Sequence, residues 1–146
     1  MAEEAKWIHA GLTCMILTHD MGHRCGYVLV PKHHVFHGVD YGDCINPEHK
    51  NEKHCYCGDT PESRLSAHGG ITFGGGLQDY KGWWFGFDCA HHGDAQDPSI
   101  MSPDMKKKAE LNPDIYLRTG GHIRSAEYVA NECRNLASQL RSMMED

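Results

Sequence analysis

Apolar residues recur along this chain at two spacings, which predict strands in the first two-thirds and one long helix at the end. In WIHAGLTCMILTH, residues 7–19, the positions Ile8, Ala10, Leu12, Cys14 and Ile16 alternate and would share one face of a strand. His19-Asp20-Met21-Gly22 reads as a turn, and HRCGYVLVP follows as a second strand stopped by Pro31. The two would form an antiparallel hairpin. Residues 70–73 suggest a short strand between glycine turns. GWWFGFDCA, residues 82–90, carries the strongest strand signal, and Gly86 inside it predicts a bulge or a close approach by another backbone or a ligand. A short helix is expected over 105–111. From Ser125, a residue suited to cap a helix, Val129, Cys133, Leu136, Leu140 and Met143 recur at three- and four-residue spacing.

Strands first and a long helix last predict an α+β fold: a small antiparallel or mixed sheet, a C-terminal helix packed on it, and long irregular loops. The length of 146 residues suits a single domain over 1–146. Within it, residues 40–66 form a polar excursion rich in Cys and His. A loop of that length in a compact domain is usually functional or separately stabilised.

Composition narrows the function classes. A net charge of −6 argues against non-specific binding to nucleic-acid backbone, which needs a basic surface. The run Lys106-Lys107-Lys108 reads as a solvated helix face. The acidic start MAEEAKWIHA lacks a signal-peptide pattern, and no run is apolar enough to span a membrane. A cytoplasmic location with seven reduced cysteines is therefore expected. The unusual total is 12 histidines, which favours catalysis or metal binding. At least half, His9, His19, His37 and His122 among them, are expected to have no task.

Four segments carry candidate chemistry. In WWFGFDCAHHGD, Trp83, Phe85 and Phe87 would point to one face of the strand and Trp84 and Asp88 to the other. Asp88, His91 and Asp94 then follow at three-residue intervals, where a turn could gather them on a divalent metal such as Zn, Mn or Mg. The plainer alternative is a carboxylate and an imidazole satisfied within a polar turn. In HGGITF, His68 precedes Gly69 and Gly70, whose N–H groups could meet a phosphate. In GHRCGYVLVPKHH, His23 and Tyr27 are four apart and face the same side, with Lys32 and His34 beyond the proline. In CINPEHKNEKHCYCG, four of Cys44, His49, His54, Cys55 and Cys57 could hold a structural zinc, with Cys44, His49, Cys55 and Cys57 the favoured set.

Taken in order, HRCGYVLVPKHH, HGGITF, WWFGFDCAHHGD and EYVANECRNLASQL resemble a family of small, mostly hypothetical proteins encoded by bacteriophages. The likeness covers most of the chain outside residues 40–66 and 95–124, and its most specific part is WWFGFDCAHHGD. It implies that His91, rather than His92, is the functional member of its pair. It also points to His23, His34, His68, Asp88, Cys89 and Asp94.

The leading expectation is a small hydrolase acting on a nucleotide or cyclic nucleotide. His68, Asp88, His91 and Asp94 would form the reactive cluster around a divalent metal, with His23 as acid or base. Lys32, Gly69 and Gly70 would position an anionic group, and Tyr27, His34 and Trp84 would complete the substrate site. Two alternatives stand beside it: a protein that sequesters such a ligand, and a zinc-stabilised interaction module.

Overall fold

The computed structural model describes residues 1–49, 55–118 and 120–144. The first apolar stretch is two strands rather than one: β1 (Ala2–His9) and β2 (Leu12–Thr18). Ala10 and Gly11, both at positive φ (53° and 78°), make the two-residue hairpin turn between them. Alternation alone does not reveal such a turn. Ile8 is therefore 72% exposed, while Leu12, Cys14 and Ile16 lie in the core. β1 is polar because it is an edge strand, where charged side chains such as Glu3 and Lys6 discourage pairing with other chains.

β3 (Arg24–Val30), β4 (Phe73–Leu77) and β5 (Tyr80–Asp88) complete an antiparallel sheet in the order β1-β2-β3-β5-β4. The short strand expected over 70–73 begins where that stretch ends, at Phe73. Alternation along β5 is as expected. Phe85 and Phe87 join the main core with Cys14, Ile16 and Val28. Trp84 turns to the opposite face with Met15, Leu17, Cys25 and Tyr27. Gly86 sits in regular register opposite Tyr27 and Phe73, with no bulge. The close approach there is the Tyr27 ring, which a Cβ would strike.

The last helix, α4 (Ala126–Ser142), starts where Ser125 accepts a hydrogen bond from the Tyr128 N–H, and it lies across β2 and β3. Val129, Cys133, Leu136 and Leu140 are fully buried against the sheet. Gly26 permits this contact, because a Cβ there would run into the Phe87 ring and the Cys133 sulfur. The fold is α+β.

The remaining elements are short: α1 (Pro61–Arg64), α2 (Pro103–Leu111), α3 (Pro113–Tyr116), and a parallel pair of two-residue strands, β6 (Asp94–Ala95) and β7 (His122–Ile123). Lys106, Lys107 and Lys108 are exposed on α2, as a solvated face should be. Arg24 is buried and binds Glu4 (2.7 Å), Asp97 (2.9 Å) and the Arg124 carbonyl (3.0 Å). It thereby ties the loops after β6 and β7 to the sheet. No helix among the described residues is long and apolar enough to cross a membrane.

Candidate functional site

The turn at the end of β5 is held from several directions. Asp88 Oδ1 accepts from the Ala90 N–H (3.0 Å) and Oδ2 from the Thr72 hydroxyl (3.1 Å). The His91 N–H donates to Asp94 Oδ2 (3.0 Å), and the Asp94 N–H returns a bond to the His91 carbonyl (3.0 Å). Arg118 donates to the carbonyls of His91 and Ala90, both at 2.7 Å. Gly69 completes the fit, since any Cβ there would collide with the His91 ring. His91 Nε2 lies 3.3 Å from Asp88 Oδ1, outside hydrogen-bond alignment, and has no hydrogen-bond partner among the described residues. Both side chains remain about one-third exposed, at 34% and 32%.

Asp94 is the buried centre of this arrangement, 2% exposed. Its oxygens receive His68 Nε2 (2.9 Å to each), Arg124 Nε (2.7 Å to Oδ1) and the His91 N–H. Burial alone would raise its pKa. The hydrogen bonds from Arg124, His68 and His91 outweigh that and hold it below the usual carboxylate value. A carboxylate only accepts, so neutral His68 carries its proton on Nε2, and Nδ1 then accepts from the Tyr128 hydroxyl at 2.8 Å. Arg124 lies over the Tyr128 ring, 5.2 Å from its centroid. The His68 and His91 rings are 6.1 Å apart, so residues from separate segments do meet here.

The expected shared metal on Asp88, His91, Asp94 and His68 needs correction. The Asp94 oxygens are already taken by protein donors. Among the described residues, the group whose ligand atoms converge as a metal ion requires is Cys44, His49, Cys55 and Cys57, all within 4.8 Å of one another. These four side chains could hold a metal ion. His54, the fifth candidate in that stretch, lies outside the described residues.

Solvent reaches the turn through adjoining hollows. One, of about 120 Å³, is lined by Met21, His23, Cys89, Asp94, Gln96 and Arg118 among others. A second, of about 350 Å³, includes His19, His23, Tyr27, Thr72 and Asp88. A third, of about 630 Å³, lies between His92, Arg118 and the glycines 93, 120 and 121. His23 borders the first two and stacks on His19 with centroids 4.5 Å apart. Burial, then the neighbouring His19, lowers its pKa, so it stays neutral at pH 7. Cys89 is buried, and burial pushes its thiol up to about 12, which makes it a poor nucleophile.

Other expected substrate-binding residues lie elsewhere or are occupied. Lys32 and His34 follow β3 while His23 precedes it, so a seven-residue strand, about 20 Å long, separates them. His34 is a satisfied core histidine: Nε2 meets the Leu140 carbonyl at 2.9 Å, and Nδ1 accepts from the Phe36 N–H at 3.0 Å. Trp84 is 2% exposed, with its indole N–H donated to the Lys81 carbonyl, and has no face free for a base. The Gly70 N–H closes a turn on the Ala67 carbonyl and is not available to a phosphate. Tyr27 is buried on its strand, although it borders the second hollow with His23.

Arg118, Arg124, Tyr128 and Thr72 reach the site only through tertiary contacts, and none of the sequence patterns above gives them a role there. Arg124 and Asp94 are thirty positions apart in sequence, and no spacing rule connects them. The only available signal was that a buried carboxylate demands a cation. Searches against protein-family models, curated proteins and solved structures return no match for this chain.

Proposed function

We propose that the protein is a small hydrolase acting on an anionic, nucleotide-type substrate at the 88–94 turn. The observation that carries this reading is His91: its backbone is fixed by Asp94 and Arg118, Asp88 stands beside its ring, and Nε2 has no hydrogen-bond partner among the described residues. A held imidazole whose Nε2 is buried against Gly69 without a hydrogen-bond partner is a group that acid–base catalysis could use once a small movement uncovers it. Neutral His23 takes a proton from the attacking water. His91, with Asp88 Oδ1 3.3 Å from its Nε2, delivers one to the leaving oxygen once that nitrogen is uncovered. Arg118 borders two of the hollows and spends two of its five N–H donors on the carbonyls of His91 and Ala90, which leaves it able to meet an anion. Arg124 neutralises Asp94, which removes part of the repulsion that two carboxylates would exert on a phosphate.

The metal in this reading is zinc. It belongs to Cys44, His49, Cys55 and Cys57 rather than to the reactive cluster, because three thiolates and an imidazole suit zinc best. The resemblance to phage proteins supports a role inside an infected host, where a cyclic-nucleotide defence signal is a fitting target.

The test is incubation of the purified chain with linear and cyclic nucleotides, followed by mass detection of products. Turnover that falls at least 100-fold in His91→Ala supports the reading; turnover equal in both proteins refutes it. A second reading, a zinc-stabilised binding protein without turnover, is favoured by the complete internal satisfaction of Asp94 and His68. It predicts intact ligand released from heat-denatured protein.

A further inference from the structure

We infer that Cys44, His49, Cys55 and Cys57 form a closed structural metal site, and that its ion holds in place the segment that delivers His68 to the candidate site. The inference rests on the zinc reading above and extends it from the identity of the ion to its task.

The four donor atoms converge as a tetrahedral ion would need. Cys44 Sγ lies 3.4 Å from Cys57 Sγ and 3.7 Å from His49 Nδ1, and Cys55 Sγ lies 3.3 Å from the same nitrogen. Zinc–sulfur bonds of about 2.3 Å and zinc–nitrogen bonds of about 2.0–2.1 Å give tetrahedral edges of about 3.6–3.8 Å, within a few tenths of an ångström of these three separations, and all four donors lie within 4.8 Å of one another. The two sulfurs at 3.4 Å are too far apart to be bonded, since a disulfide measures about 2.05 Å. Four protein donors leave no position for water or substrate, which marks a structural centre rather than a catalytic one. The Asp59 N–H donates to Cys57 Sγ (3.4 Å), an outer bond of the kind that orients a thiolate ligand.

From this centre a chain of contacts leads to His68. The Asp59 carbonyl accepts from the Ile45 N–H (2.9 Å), closing the base of the loop beside Cys44. The Asp59 carboxylate receives the fork of Arg64 (3.0 and 3.2 Å), and Thr60 and Ser63 cap α1 reciprocally. The Glu62 N–H binds the Tyr41 carbonyl, and Ser66 exchanges two 2.8 Å hydrogen bonds with Gln139 of α4. Ala67, His68 and the Gly69–Gly70 turn come directly after. The described residues of this excursion form no strand of the sheet; Tyr41, Ile45, Pro61 and Leu65 anchor it to the core, and the ion and these contacts set the path between those anchors.

The experiment uses the full chain as purified. Elemental analysis is expected to find about one zinc per chain. Zinc is then removed with a chelator, and amide hydrogen exchange is followed before removal, after it, and after zinc is restored. Exchange at Ile45, Glu62, Ser63 and Gly70 is expected to quicken at least tenfold on removal and to return with zinc, while amides of β2 and β3 keep their protection. Cys57→Ser should reproduce the zinc-free pattern. Absence of bound zinc, with none taken up from added zinc sulfate, overturns the zinc reading itself. Zinc loss that leaves exchange at these amides unchanged overturns only this inference. Neither outcome depends on whether the protein hydrolyses anything.

Discussion

At the scale of single residues, Asp94 and His91 divide the work of the turn, and their substitutions should separate cleanly. Asp94→Ala leaves His68 and Arg124 without their carboxylate and frees the His91 backbone. A loss of about 3–5 kcal/mol in urea unfolding is expected, as for other broken buried pairs. His91→Ala removes a side chain one-third exposed and short of partners, so stability should change by less than about 1 kcal/mol while turnover collapses. His34→Ala should do the reverse, lowering stability without touching turnover, because both its nitrogens serve the Leu140 and Phe36 backbone. Tyr128→Phe deletes one hydrogen bond to His68 and should cost about 1 kcal/mol.

At the scale of elements, the close passage of α4 over β3 depends on Gly26. Gly26→Ala forces a methyl group into Phe87 and Cys133, and a loss of about 1–3 kcal/mol is expected in thermal or urea unfolding. The elements visible in the sequence were those with their own periodicity. β5 showed its alternation, and α4 showed both its cap at Ser125 and its apolar stripe. β1 was hidden because an edge strand can be charged, and the turn at Ala10 was hidden because the alternation on either side of it ran together. In the candidate site, the Asp88–His91–Asp94 turn and His68 were legible as ionisable residues closing an apolar run. Arg118, Arg124 and Tyr128 were not, since only the tertiary path of the chain brings them to residues so distant in sequence.

At the scale of the whole molecule, stability should fall with acid in two stages. Burial holds His23 and His34 below the usual histidine value. A folded pKa below the unfolded one favours the folded state fully above about pH 6.5, and that contribution fades as pH drops below it. In Asp94 and Asp97 burial is outweighed by hydrogen bonds and the nearby arginines, and both carboxyls are held low. Their contribution is complete above about pH 4 and is lost as pH falls further through their depressed values. Urea midpoints measured from pH 8 to pH 3 should show both declines; a midpoint flat from pH 7 to pH 5 would contradict the burial of the two histidines. The most direct measurement of all compares wild-type protein and His91→Ala, at matched urea midpoints, on the same nucleotide panel. This account predicts cleavage of at least one nucleotide by the wild type and a rate at least 100-fold lower in the variant. Equal rates, or an intact panel with both proteins, would contradict it.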